Sequence, residues 1–321
     1  MTICRFLMPY PIMSKIFTSL SVVLTLATVP TAHAAFWAQQ QVSTNTVVNP
    51  PTNPASTPVK PASVAKIVKK PTKPAAKPVV SPTFDAVLKQ TDQLVEQESY
   101  SQAIKVWQHF LRSKNVTHCQ TIYANYSLGK LYIKPQQYEL ALNAFNKVLA
   151  SDPLSYCSNV DYTMADTLDS KGYVLVKLGH ETEALDYFKL VPKLYKNTKS
   201  SDVAELVLSA LSNTAEVSLV TGNKAQALDY AKRAKKLAPN NDESYAIMSF
   251  LLWLMHNKTE QEVLKAINNL APDTEYSWDW RDIPPVIQQL PAKRQAKANC
   301  FIDFFDKHHD KARVRACVAQ Y

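Results

Sequence analysis

LGKLYIKPQQYELALNAFNKVLASDP, residues Leu128 to Pro153, reads as two antiparallel helices pressed together. Gly129 and Ala141 are small enough to let the helices approach closely, Tyr132 and Phe145 fill the seam, and Pro153 stops the second helix. One such hairpin cannot bury its own apolar face, so this stretch predicts that neighbours of the same kind stack on it.

The chain from residue 84 onward repeats that pattern. Small alanines at the equivalent place fall at 103, 141, 184 and 227, and ALDYFK (184–189) returns as ALDYAK (227–232). Leu128, Gly129, Tyr132, Ala141, Phe145 and Pro153 stand at the offsets L-G-x-x-Y … A-x-x-x-F … P, and in this the chain resembles the tetratricopeptide repeat family. The resemblance implies four repeats over residues 84–239. The second is the best matched, and the third and fourth centre on Leu168, Gly172, Ala184 and Phe188 and on Leu211, Ala215 and Ala227. The family period is ~34 residues, so the longer spacings here place extra residues near 152–164 and 192–206.

Residues 242–256, DESYAIMSFLLWLMH, form a helix apolar on nearly every face, too short to cross a bilayer and suited to burial. Thr259 and Glu262 make a capping box for its partner, which ends at Leu270-Ala271-Pro272. This fifth hairpin half matches the repeat. Beyond it, Trp278, Trp280 and Pro284-Pro285 predict an irregular strap, followed by short helices over 292–306 and 310–320 that cap the open end. The expected fold class is therefore all-α. A solenoid of tetratricopeptide-like hairpins (84–272) carries a C-terminal helical cap (273–321).

The first 83 residues are of another kind. Lys15, the apolar run Ile16 to Val29 and the small-x-small site Ala32-His33-Ala34 predict a signal peptide over 1–34, with Met13 as an alternative start. An uncleaved signal would instead anchor the chain to the inner membrane. Residues 35–83 read as a disordered Pro/Ala/Lys-rich linker, because nine prolines between 50 and 82 fix φ and remove donors. Its six lysines without one acid could touch anionic glycan, lipopolysaccharide or a membrane surface, or simply hold a solvated spacer open.

Eight of the 36 basic residues and none of the 27 acids lie in 1–83. The remainder has 28 cations against 27 acids, a net of +1, so no nucleic-acid partner is expected for the folded part. All four glycines have repeat positions, Gly129 and Gly172 at helix contacts, Gly179 and Gly222 at turns. None is left for a phosphate-cradling loop, a dinucleotide fingerprint or a nucleophile elbow, and no cofactor is expected.

After export, Cys119, Cys157, Cys300 and Cys317 predict disulfides. Cys300 and Cys317 stand symmetrically about His308-His309, the expected turn of a helix hairpin. In one straight helix they would be about 25 Å apart. Cys119 and Cys157 precede the first helices of successive repeats and could tie them together. The spacing C-x7-HH-x7-C matches no familiar zinc pattern, and the histidines show no nucleophile–base arrangement. The chain is read as non-catalytic.

In the tetratricopeptide family the first helix of each pair lines a concave groove. The resemblance assigns groove positions to Tyr123, Tyr126 and Lys130, then to Asp166, Asp169 and Tyr173, then to Asn213 and Glu216. Tyrosines there could stack on proline or sugar rings, or merely pack between helices. Tyr126 and Lys130 stand where the carboxylate-clamp subgroup needs Lys and Asn, so that activity is not carried over. The expectation is a periplasmic scaffold or adaptor holding an extended segment of another envelope protein or peptide. An envelope-polymer binder acting through the basic linker is the alternative.

Overall fold

The computed structural model describes residues 83–151, 157, 160–274, 276 and 282–321. The expected signal peptide, the linker up to Pro82, and Pro153, Trp278 and Trp280 lie outside those residues.

Five helical hairpins follow one another: α1 (Phe84–Glu96) with α2 (Tyr100–Leu111), α3 (His118–Ile133) with α4 (Tyr138–Ala150), and α5 (Val160–Lys177) with α6 (Glu181–Leu194). Then come α7 (Ser201–Val220) with α8 (Lys224–Leu237), and α9 (Glu243–Leu254) with α10 (Glu260–Asn269). Each second helix of the first four pairs packs on its own first helix and on the first helix of the next pair, while α3, α5 and α7 also touch one another as an inner row. No strand occurs among the described residues.

Local chemistry sets the starts. Thr83, Thr117, Ser200, Asn223, Asp242 and Thr259 each accept a hydrogen bond from the first turn of the helix that follows. The Thr259–Glu262 capping box is present, and a second one joins Thr117 to Gln120. Each such cap contributes about 1 kcal/mol by satisfying amides that would otherwise be orphaned.

The turns within the five pairs share one device. Glu98, Gln136, Gly179, Gly222 and His256 all have positive φ, between 55° and 83°. Four of these turns add a backbone bond reaching five residues back: Ser99 to Leu94, Gln137 to Tyr132, His180 to Leu175 and Asn257 to Leu252. This closes the last turn of the first helix and reverses the chain. In the first four pairs the left-handed residue stands five places before the repeat alanine, and Ala103, Ala141, Ala184 and Ala227 are all fully buried at helix crossings. Phe145 and Phe188 fill the seams against Gly129 and Gly172. The spacing beyond ~34 is absorbed partly in long inner helices, 18 residues in α5 and 20 in α7.

The C-terminal segment covers the last hairpin. Pro284 and Pro285 open a short helix, α11 (Pro284–Gln288), rather than a wholly irregular strap, since proline needs no partner for its missing N–H in a first turn. α12 (Ala292–Asp303) runs into a π-helical turn (Phe304–His308), left-handed His309 reverses the chain, and α13 (Lys311–Ala319) returns. Phe301 meets the rings of Phe250 and Trp253 at centroid distances of 5.6 and 5.4 Å. Lys311 Nζ donates to the carbonyls of Asn268 and Leu270, which end α10. By length and composition α7 could span a membrane, but most of it is buried among its neighbours.

Candidate functional site: the seams of the inner row

α3, α5 and α7 meet through polar side chains where aliphatic ones would be expected. Between α3 and α5, the Tyr126 hydroxyl donates to Asp166 Oδ2 at 2.5 Å, and Lys130 Nζ donates to both Asp166 oxygens at 2.9 and 2.8 Å. Ser170, one turn on from Asp166, accepts from Lys130 at 3.1 Å and donates to Asp166 Oδ1 at 3.0 Å. The ring of Tyr123 meets that of Tyr126 edge-on at 5.9 Å.

Between α5 and α7, Ser209 donates to Asp169 Oδ2 at 2.9 Å and Asn213 Nδ2 donates to Asp169 Oδ1 at 3.0 Å. Asp166 and Asp169 are 3% and 2% exposed, so each carboxylate depends on these donors in place of water. Burial lifts the Asp169 pKa to about 7 against the pull of Ser209 and Asn213. Burial, and then the Asp166 charge, holds the Tyr126 hydroxyl well above its ordinary value.

The positions that the resemblance assigns to a groove divide by burial. Tyr126, Asp166, Asp169 and Asn213 lie in the seams of the inner row and are buried, and Glu216 is buried as well. The cause is the close approach of α3 to α5 and of α5 to α7, which leaves no open strip at those positions. Tyr123, Lys130 and Tyr173 are half-buried at the rim. Lys177 Nζ lies 5.3 Å from the Tyr173 ring and 3.7 Å from Asp282, and α11 packs on α7, so the C-terminal segment reaches the inner row.

Sequence reasoning missed Ser170 and Lys171. Ser170 was legible as the residue one helical turn after Asp166 on the same face. Lys171 donates to the Tyr187 hydroxyl at 2.6 Å from within the α5–α6 seam, and burial lowers its pKa to about 8. Nothing in the sequence marks it, because a lysine on a helix is ordinarily solvated. Cys119 and Cys157 stand at disulfide distance, S–S 2.09 Å, as do Cys300 and Cys317 at 1.96 Å. Asn125, in the sequon Asn-Tyr-Ser, is buried within α3.

Chemically, the seams hold the carboxylates of Asp166 and Asp169, each hydrogen-bonded to side chains of the neighbouring helix. Among the described residues no three His, Cys, Asp or Glu side chains converge as a metal site. No curated protein matches the chain. The family model for the tetratricopeptide repeat matches residues 122–153, which take in α3 from its second turn and all of α4. Helical hairpins of the same kind flank the match on both sides, so the one tetratricopeptide repeat it identifies sits within an all-α array of stacked hairpins.

Proposed function

We propose that the chain is an exported, non-catalytic scaffold that holds an extended segment of another envelope protein along its inner row. The arrangement of Tyr123, Lys130, Tyr173 and Lys177 supports this most directly. Tyr123 and Tyr173 form a rim of partly buried phenol rings on α3 and α5, and the ammonium groups beside them, on side chains 12% and 11% exposed, pair with Asp166 and Asp282. Beneath them the Tyr126–Asp166–Lys130 and Asp169–Asn213 bonds lock the helices in register. A rim fixed in this way loses little side-chain freedom on binding, which favours recognition of a flexible segment. Tyr126, Asp166, Asp169, Asn213 and Glu216 then hold the surface in shape, and the rim makes the contacts. Aromatic faces with a donating hydroxyl suit proline-containing or extended peptide.

The test is in-cell photo-crosslinking with a photoreactive phenylalanine derivative at Tyr173 and, as control, at exposed Asp186 on outer helix α6. A discrete envelope protein captured only from position 173 is the expected result. Identical captures from both positions would reject the groove. Export is checked by intact mass of the purified chain, which should begin after Ala34.

A further inference from the structure

Between consecutive outer helices the hairpin array leaves a trough, floored by the inner helix of the later pair. One such trough, about 410 Å³, lies between α2 and α4 over Leu128 and Tyr132, and its cations are Arg112 and Lys147. Another, about 670 Å³, lies between α8 and α10 over Tyr245 and Leu252. Its walls carry Lys232, Lys235 and Lys236 from α8, facing Lys258 and Lys265 from the α10 side, with Glu262 as the acid among them. Repeat geometry produces both troughs, but it does not require five lysines in the second.

Two of those lysines are engaged locally. Lys258 pairs with Glu262 at 2.5 Å, and Lys235 Nζ lies 4.5 Å from the centre of the Tyr245 ring. Lys232, Lys236 and Lys265 are exposed, and among the described residues no carboxylate stands within ion-pair distance of any of them. Burial, and then the neighbouring Lys258 ammonium, lowers the Lys235 pKa, as expected where like charges crowd a partly dry wall. Residues 84–321 as a whole carry 28 cations against 27 acids, so this concentration is local.

We propose that the α8–α10 trough is a docking site for an extended acidic segment of a partner protein, with Asp and Glu side chains seated between the two lysine walls. Charge complementarity selects the sign of the occupant. It also excludes the chain's own first 83 residues, which contain no Asp or Glu and carry eight cations. The floor argues for peptide over a bare polyanion. The half-buried ring of Tyr245 offers apolar surface to an alternate side chain, while exposed Asn257 and Asn269 offer amides that match a peptide backbone. A polyphosphate would leave that surface uncovered.

The experiment measures fluorescence anisotropy of a labelled peptide of alternating Glu and Leu with the full chain. Its Gln–Leu analogue and inorganic polyphosphate serve as competitors. The Glu peptide should bind, weaken as salt rises, and yield to neither the Gln analogue nor polyphosphate at equal concentration. The triple variant K232Q/K236Q/K265Q should bind it roughly tenfold more weakly at unchanged thermal unfolding, while K232R/K236R/K265R should retain binding. Equal binding by wild type and the Gln variant would place the peptide elsewhere and overturn the proposal. So would displacement by polyphosphate alone, or self-association of the chain that closes the trough without peptide.

Discussion

Gly129 lies so close to Phe145 that a Cβ added to it would stand 2.3 Å from Cε1 of the ring, and 2.6 and 2.8 Å from two further ring carbons. Phe145 is fully buried at the centre of the α3–α4 crossing, so the ring cannot swing out to solvent. Gly172 meets Phe188 in the same way one repeat later, its Cβ position 2.6 Å from the ring. Gly129→Ala should therefore force the two helices apart and cost about 1–3 kcal/mol, the usual range for overpacking. The measurement is denaturant unfolding by circular dichroism. A variant as stable as wild type would show that the seam is looser than these distances.

That contact was legible from Gly129, Ala141 and Phe145, because small residues at helical spacing opposite a large ring mark a close helix crossing. The turns were legible only where glycine marks them, at Gly179 and Gly222. Glu98, Gln136 and His256 adopt the same left-handed conformation. Their identity gives no warning of it, since the hairpin's packing overrides a local preference. The polar seams were half legible. The resemblance pointed to Tyr126, Asp166, Asp169 and Asn213, but whether a polar residue on an inner helix faces a groove or a neighbouring helix depends on how closely α3, α5 and α7 approach. That distance comes from long-range packing, which no local pattern records. The cations on α8 and around α10 were visible, yet their confrontation across a trough required the fold.

Gln136 offers a direct test of the shared turn. Its φ is +59°, a region in which an L side chain crowds its own carbonyl at roughly 1–2 kcal/mol. Gln136→Gly removes that crowding but frees the unfolded chain, so the net change should be a stabilisation of at most about 1 kcal/mol. Gln136→Val, with a branched Cβ in the same conformation, should lose stability. The pair is compared by melting temperature, and equal values for both variants would mean that position 136 does not constrain the turn.

Lys130 and Asp166 form an ion pair with side chains only 12% and 4% exposed. Replacing the cation alone, Lys130→Met, leaves a buried carboxylate held only by the neutral donors Tyr126 and Ser170. The expected loss is about 3–5 kcal/mol, the range for orphaning one member of a buried pair. Lys130→Met with Asp166→Leu removes both charges and should recover much of it. Urea unfolding of the wild type, the single variant and the double variant gives the answer. A double variant no better than the single one would show that the polar seam is needed for packing rather than for charge balance.

Asp169 adds a pH dependence of definite sign. Its carboxyl titrates near pH 7 in the folded chain and near its ordinary value of 3.8 when unfolded, because burial penalises the charged form more than Ser209 and Asn213 stabilise it. The nearby charges are Asp166, which raises the pKa, and Lys130, which lowers it. Below pH 3.8 the group is protonated in both states and imposes no penalty. Between 3.8 and 7 the folded chain holds a proton that the unfolded chain has released, so this group's contribution to stability falls as pH rises. Above 7 both states are ionised and the penalty is constant, at most about 4 kcal/mol. Asp169→Asn keeps the size of the side chain and has no proton to lose. Its stability relative to wild type should be nearly level at about pH 4, improve steadily towards about pH 7, and then stop improving. Taking the difference between the two proteins cancels the titration of every other carboxylate, so the curve isolates this one. A difference that stays flat from about pH 4 to 8 would mean that Asp169 keeps an ordinary carboxylate pKa and that Ser209 and Asn213 fully replace its lost water.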